Sequence, residues 1–343
     1  MTTLSVKIIG AGSVGNHLAN AFRKYKHKVT LTDIDPGALE RTKLEIYPSR
    51  YQFWDEEIRT GLPKLFKDEE FDIVVIGTPP DTHLNIATSE MRMAKKAILI
   101  EKPLCIPDRS EIVGFEKLDK QFLGRIFVGY NHSASNMIQN LKTINILEKF
   151  DLGKILNINV FWEESWEGIL RAHPWLNGAE DTYLGYTKRG GGALGEHSHG
   201  LKLLFDLVDL FGLPDPQITN KKIDWFCKYD QTSTINFEFK GMNVKGSYNT
   251  DVISWPARKG AEIMFKQGKL TIEFGDHSIG DTVHINSNQK GNAMFQFSKT
   301  RPLDFQLEVN EIVNSLNNKK RSSLDLKNCL KVQYFISECL EGV

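Results

Sequence analysis

The chain has 343 residues, a length that suits two domains better than one small module or three. Forty-three Lys and Arg balance forty-three Asp and Glu, without the clustered basic excess expected of a dedicated nucleic-acid or membrane-surface protein. With 41% apolar and 25% charged residues the chain can bury a sizeable core, and no apolar run approaches the ~20 residues that span a bilayer.

Met1 to Val6 lacks the pattern of a secretory signal. Cys105, Cys227, Cys329 and Cys339 lie far apart with no C-x-x-C pair, which argues against a disulfide scaffold and for a reducing cytoplasm. In chain order, Ser5–Gly10 reads as a strand, Ser13–Tyr25 as a helix and His27–Asp33 as a second strand. A helix from Pro36 to about Tyr47 follows. Then come the strand Phe71–Ile76, the helix Asp81–Ala94, the strand Ala97–Ile100, a helix at Asp108–Phe122 and the strand Arg125–Tyr130. This alternation predicts a doubly wound parallel sheet, a Rossmann-type α/β domain over residues 1–125.

Beyond it, strand patterns follow one another at Lys154–Phe161, Gln217–Cys227, Ser233–Phe239, Asn243–Asn249, Ala261–Phe265, Lys269–Phe274 and Asp281–Ile285. Helices are expected at Glu196–Phe211, Asp304–Asn317 and Asp325–Glu341. Residues 126–343 are thus expected to form an α+β domain, a large, mostly antiparallel open sheet with helices on one face.

Gly10-Ala11-Gly12-Ser13-Val14-Gly15 is a G-x-G-x-x-G between the first strand and the first helix. Gly10 permits the tight turn, Gly12 lets backbone approach a diphosphate, and Gly15 lets the helix pack on the sheet. Asp33 ends the second strand, where a carboxylate accepts hydrogen bonds from the adenosine ribose hydroxyls and repels a 2′-phosphate; NAD is expected rather than NADP. Thr78-Pro79-Pro80-Asp81-Thr82-His83 and Glu101-Lys102-Pro103 follow two further strands, and loops at the carboxyl ends of a parallel sheet face the ligand.

Together these motifs resemble the Gfo/Idh/MocA family of NAD(P)-dependent oxidoreductases. The resemblance continues through Gly190-Gly191-Gly192-Ala193-Leu194, Glu196 and His199 to the stretch after Arg301-Pro302. It implies that Lys102 lies near the nicotinamide and hydrogen-bonds the reacting hydroxyl. It also implies that the helix after the glycine run carries an acid and a catalytic histidine. Here Glu196 takes the acidic place and His199 comes three residues later instead of four; both spacings put side chains on one helix face. His197 falls on the apolar stripe of Leu201, Leu204, Val208 and Phe211, which suits a packed structural histidine, while His199 suits the base. A Lys102 ammonium nearby favours a neutral His199. Lys102 itself, or a Lys–His relay, is the rival. H-x-H on a helix does not bring two imidazoles to one face, so no metal is expected.

Between Trp162 and Arg189 the sequence holds Trp162, Trp166, Arg171, His173, Trp175, Tyr183, Tyr186, Lys188 and Arg189. Flat rings suit sugar faces and basic groups suit a carboxylate or phosphate; Asn131 and His132 are expected to join them in binding a sugar or nucleotide sugar. Ile46-Tyr47-Pro48-Ser49-Arg50-Tyr51 and His173-Pro174-Trp175-Leu176 resemble a subgroup associated with surface-glycan sugar synthesis. The exposed face of the second sheet suits a symmetry mate, and homodimers or homotetramers are common in the family. Two other readings compete with a dehydrogenase or reductase: an NAD-dependent glycosidase that oxidises its sugar transiently, and a non-catalytic dinucleotide sensor.

Overall fold

The computed structural model describes residues 2–122, 124–171, 173–276, 278–318 and 321–342. The chain opens with β1 (Ser5–Ile9), α1 (Ser13–Lys24), β2 (Lys28–Thr32), α2 (Pro36–Arg41), α3 (Tyr47–Tyr51) and β3 (Arg59–Gly61). It continues through β4 (Phe71–Ile76), α4 (His83–Glu90), β5 (Ala94–Glu101), α5 (Arg109–Gln121) and β6 (Ile126–Gly129). All five pairings in this sheet are parallel, in the order β3-β2-β1-β4-β5-β6. The order reverses direction between β1 and β4, the position where a doubly wound sheet opens a crevice at its carboxyl edge. Val6, Ile8, Leu31, Ile73–Ile76 and Ile98–Ile100 are fully buried, as strands covered on both faces must be.

After this sheet come α6 (Asn136–Thr143), α7 (Ile146–Phe150), β7 (Ile155–Glu163), α8 (Trp166–Leu170), α9 (Gly192–Glu196) and α10 (Ser198–Phe211). There follow β8 (Pro216–Phe226), β9 (Tyr229–Phe239), β10 (Lys245–Asp251), β11 (Arg258–Phe265), β12 (Gly268–Glu273), β13 (Asp281–Ser287) and β14 (Gly291–Phe297). Helices α11 (Arg301–Asn318) and α12 (Leu326–Leu340) end the chain. The second sheet has eight strands in the order β14-β13-β12-β11-β7-β10-β9-β8, and only β7 and β10 pair in parallel. Its inward face carries Ile158, Val160, Tyr248, Ala261 and Ile263, all completely buried. The outward face of its central strands is a ladder of polar side chains: Ser247 donates to Asn159, Thr234 to Asn249 and Asn157 to the Lys245 carbonyl. No helix among the described residues is long and apolar enough to cross a membrane.

The compact units divide differently from the expected boundary at residue 125. One comprises Met1–Asn131 and Pro302–Leu330, the other His132–Arg301 and Lys331–Val343. β6 lies beyond residue 125 yet is the sixth strand of the parallel sheet, and Val128 N–H donates to Leu324 O at 2.8 Å from the returning segment. The helix expected over Pro36–Tyr47 continues through a π turn at Thr42–Ile46 into α3. The helix expected over Glu196–Phe211 is in fact two, broken at His197. There the His197 carbonyl accepts the Tyr248 hydroxyl at 2.7 Å and the Gly200 N–H at 2.9 Å, contacts that draw it out of the regular ladder. β3 and β14 escape sequence reading because one is only three residues, Arg-Thr-Gly, and the other an edge strand with little apolar contrast.

Candidate active site

The glycine turn after β1 is explained by its surroundings at two positions and by none at the third. Gly10 has φ +108°, and a Cβ there would meet Gly77 O at 2.5 Å. A Cβ on Gly15 would meet Gly10 O at 2.0 Å. Gly12 has an ordinary φ of −79° and nothing within 4 Å of a built Cβ, so the protein's own packing does not demand glycine there. Open space above a helix N-terminus is what a diphosphate lying against backbone requires. Asp33 is fixed beside the turn: its Oδ2 accepts Ala11 N–H at 2.8 Å and its Oδ1 accepts Asp35 N–H at 2.9 Å.

The loops after β4 and β5 are tied to each other. His83 is completely buried, with Nε2 2.8 Å from Thr78 O and Nδ1 3.0 Å from Leu104 O. Burial depresses its pKa. His83 therefore positions the loop of Thr78 and Pro79 from beneath instead of offering its ring to a cofactor. Glu101 ends β5 in a buried place that Gly129 keeps open, since a Cβ on Gly129 would come within 2.6 Å of Glu101 Oε1. Lys102 follows it, partly exposed, before the cis bond to Pro103.

In the other unit, His199 is the second residue of α10 and packs into a box of rings. Its ring lies 4.6 Å from that of His132, edge to face, and 5.6 Å from the near-parallel Trp162. Phe274 closes the box at 5.2 Å from both His132 and Trp162. The turn carrying His132 is anchored to α10 one residue on, where Ser133 Oγ donates to Asp206 Oδ2 at 2.6 Å, and Lys202 balances Asp206 at 2.8 Å. Burial, then the charges of Lys299, His199, Lys259 and Arg301, push the His132 pKa well below its ordinary value, so His132 is neutral near pH 7. Its Nδ1 is a buried polar atom without a hydrogen-bond partner among the described residues, and so is Asn131 Oδ1. Buried polar atoms in that state call for a ligand or water.

Residues 4–118 match the family model for Gfo/Idh/MocA, described as an oxidoreductase family with an NAD-binding Rossmann fold. Residues 4–118 belong to the Gfo/Idh/MocA oxidoreductases. No curated protein matches the sequence. Among solved structures, the chain is similar to levoglucosan dehydrogenase in complex with NADH and levoglucosan, at 15% identity and TM-score 0.79 over 99% of this chain and 96% of that one. It is also similar to myo-inositol 2-dehydrogenase from Lactobacillus plantarum, at 17% identity and TM-score 0.72 over 98% and 96%. A third is UDP-N-acetylglucosamine 3-dehydrogenase from Acidithiobacillus ferrooxidans, at 14% identity and TM-score 0.71 over 99% and 97%. At these identities the likeness extends the shared fold to both units.

NAD is thus the cofactor for which the Gfo/Idh/MocA domain is built, and the open face of Gly12 and the fixed Asp33 fit it. Trp162, expected as a sugar platform, is only 2% exposed and serves as the floor under His199. His197 is buried, with Nε2 3.2 Å from Glu164 O, the structural place its stripe position predicted. Glu196 ends α9 before the break, so the single-helix argument pairing it with His199 does not hold. Arg171 is exposed, pairs with Glu167 at 3.0 Å and stacks on Trp255. His173 bonds Ile169 O and packs edge-on against Trp175. Tyr183 packs on the small cluster of Ile169, Ala179 and Tyr229, and Lys188 is exposed in the Thr187–Arg189 turn. Sequence reading missed Phe274, Lys259 and Lys299. Lys259 lies in β11, Phe274 just after β12 and Lys299 just after β14, and only the pairing of those strands brings them to His132. Among the described residues no three His, Cys, Asp or Glu side chains group as a metal site.

Gly192 and Asp230 hold the turn that launches α9. Asp230 is completely buried; it accepts Thr187 Oγ1 at 2.6 Å and Leu194 N–H at 2.7 Å. Burial raises its pKa from 3.8 to about 6 against those hydrogen bonds. A carboxyl raised on folding contributes stability that is complete below pH 3.8 and lost as pH rises through about 6. Wild-type unfolding free energy is expected to fall by on the order of 3 kcal/mol across that window, and Asp230→Asn to flatten the fall. Parallel denaturant titrations from pH 4 to 7 check this; identical slopes in both proteins refute it.

Proposed function

We propose that the protein is an NAD-dependent dehydrogenase or reductase acting on a hydroxyl-bearing carbon of a sugar or nucleotide sugar. The observation that carries this reading is the His132–His199 pair in its ring-lined box, with the His132 Nδ1, which has no hydrogen-bond partner among the described residues, ready for a hydroxyl. The family match and the sugar and polyol dehydrogenases among the similar structures support it. When bound, NAD supplies the hydride acceptor or donor. The amides at the start of α1 hold its diphosphate, and Asp33 accepts hydrogen bonds from the adenosine ribose.

Lys102 donates a hydrogen bond to the reacting hydroxyl and favours its alkoxide character, and His199 takes or returns the proton. His132, neutral and carried on a turn that Ser133 anchors to Asp206, orients a neighbouring hydroxyl. Trp162 and Phe274 keep water from the imidazoles. Arg171, His173, Trp175, Tyr183 and Lys188 form the outlying part of the substrate surface, and a glycan-precursor sugar fits that mixture of rings and cations. The polar outward ladder of the second sheet is the surface we assign to homodimer or homotetramer formation, which light scattering of the purified protein tests.

Screening sugars and nucleotide sugars with NAD and with NADH, read by nicotinamide absorbance, tests the function. Turnover of at least one with stoichiometric NADH change is expected; release of an aglycone without net NADH would assign the glycosidase chemistry instead. Asp33→Ala is expected to raise the NAD Kd about tenfold, the loss of charge-assisted hydrogen bonds, and to narrow the preference over NADP. A wild type that already prefers NADP overturns that role of Asp33.

A further inference from the structure

Two lysines stand against the ring box of the second unit, and the function so far described gives them no ligand to bind. Lys299 follows β14 and is buried. Its Nζ lies 5.3 Å from the centre of the Phe274 ring, which packs 5.2 Å from His132. Lys259, in β11, places its Nζ 5.9 Å from the Trp162 ring, itself 5.1 Å from His132.

Each ammonium is held by a carboxylate. Lys299 donates to the buried Asp281 at 3.1 Å, and Lys259 donates to Glu164 at 2.6 Å. Taking both ions of a pair out of water is costly, and apolar residues of the same volume often hold a fold as well or better. Stability alone therefore gives no reason to bury Lys299 and Asp281 beside the imidazoles. An ammonium carries three N–H donors. Among the described residues Asp281 supplies the one hydrogen-bond acceptor of Lys299 Nζ, so it fixes the group in place and leaves donors over.

Two further observations say what those donors await. Lys299, Lys259 and Arg301 each act on His132 as positive charges and oppose its protonation. The His132 Nδ1, buried and without a hydrogen-bond partner among the described residues, can carry the proton of a neutral imidazole. A group that suits both must bring oxygen acceptors and negative charge, as a carboxylate or a phosphate does.

We propose that Lys299, positioned by Asp281 and assisted by Lys259, binds an anionic oxygen group of the substrate beside His132. The compound turned over is thus a sugar acid or a sugar phosphate, and Lys299 selects it over the neutral sugar. The proposal rests on the dehydrogenase reading and deepens it by naming the substrate class.

The test measures initial rates of NAD reduction with D-glucose, D-glucuronate, D-gluconate and D-glucose 6-phosphate, with their galactose and mannose counterparts, and with UDP-glucose against UDP-glucuronate. In wild type the kcat/KM of an anionic member is expected to exceed that of its neutral parent roughly ten- to a hundredfold, the worth of a charge-assisted hydrogen bond. The acid and 6-phosphate arms separate the two sources of charge. K299M/D281N removes the ammonium without leaving its carboxylate buried alone, and should bring that ratio to about one. K259M, whose lysine is only partly buried, should lower the ratio less, and it carries the test if the double variant does not fold. A wild-type ratio at or below one overturns the proposal and leaves the dehydrogenase reading standing. A ratio unchanged in K299M/D281N, or in K259M where that alone folds, also overturns it. No nicotinamide change with any compound removes the dehydrogenase reading and the proposal together.

Discussion

Lys102→Met is expected to lower kcat by about 10²- to 10⁴-fold, the range for a positioned proton-handling group, while the Kd for NADH stays within a few fold. Methionine keeps the length and unbranched shape of lysine and removes only the ammonium. The frame around the position is built from other contacts. β5 is buried up to Glu101, Gly129 leaves the space Glu101 fills, and His83 ties the next stretch at Leu104 O to the Thr78 loop. A drop in turnover without loss of coenzyme binding or Tm therefore isolates the chemistry. Full activity in the variant would remove Lys102 from the mechanism and leave His199 as the sole proton-handling group.

The second large effect is expected at Gly192, far from Lys102 in sequence. Gly192 has φ +78°, where any side chain is strained, and a Cβ would lie 1.9 Å from Asp230 Oδ1 and 2.7 Å from Thr187 Oγ1. Gly192→Ala must expel the buried carboxylate from its hydrogen bonds or deform the turn that starts α9. Strain and lost hydrogen bonds together are expected to cost about 3 kcal/mol or more. Because α10 and His199 follow directly after α9, kcat should fall alongside stability. Guanidinium unfolding of Gly192→Ala against wild type measures the first effect and turnover with the identified sugar the second. A midpoint equal to that of wild type would mean that the turn tolerates a side chain. Asp230→Asn, which keeps the shape of the carboxyl, should be far milder.

The coenzyme half of the molecule was largely legible because its signals are local. Gly10, Gly15 and Asp33 are each required by a turn, a close approach or a strand end that a short stretch of sequence specifies, and strand periodicity located the sheet. The second unit was legible only in outline. The ring box around His199 is assembled from the turn at His132, from β7 and from the residue after β12, and nothing in any one stretch announces that these meet. Trp162 read as an exposed platform because aromatic content alone does not distinguish a surface ring from a floor. The break at His197 was hidden for a similar reason: its cause is the hydroxyl of Tyr248, fifty-one positions away. Helical periodicity continues across the break, so the sequence pattern runs smoothly where the backbone does not.

The return of Pro302–Leu330 to the first unit has a practical corollary for anyone dissecting the enzyme. Neither half is a contiguous stretch, so a stop codon after Asn131 yields an incomplete coenzyme module. Such a fragment would lack the Leu324 acceptor of β6 and the Phe305 ring stacked on His17 in α1. Gene fusions or swaps intended to exchange the second unit must be spliced at three places, after Asn131, after Arg301 and after Leu330, so that the returning segment stays with its original owner.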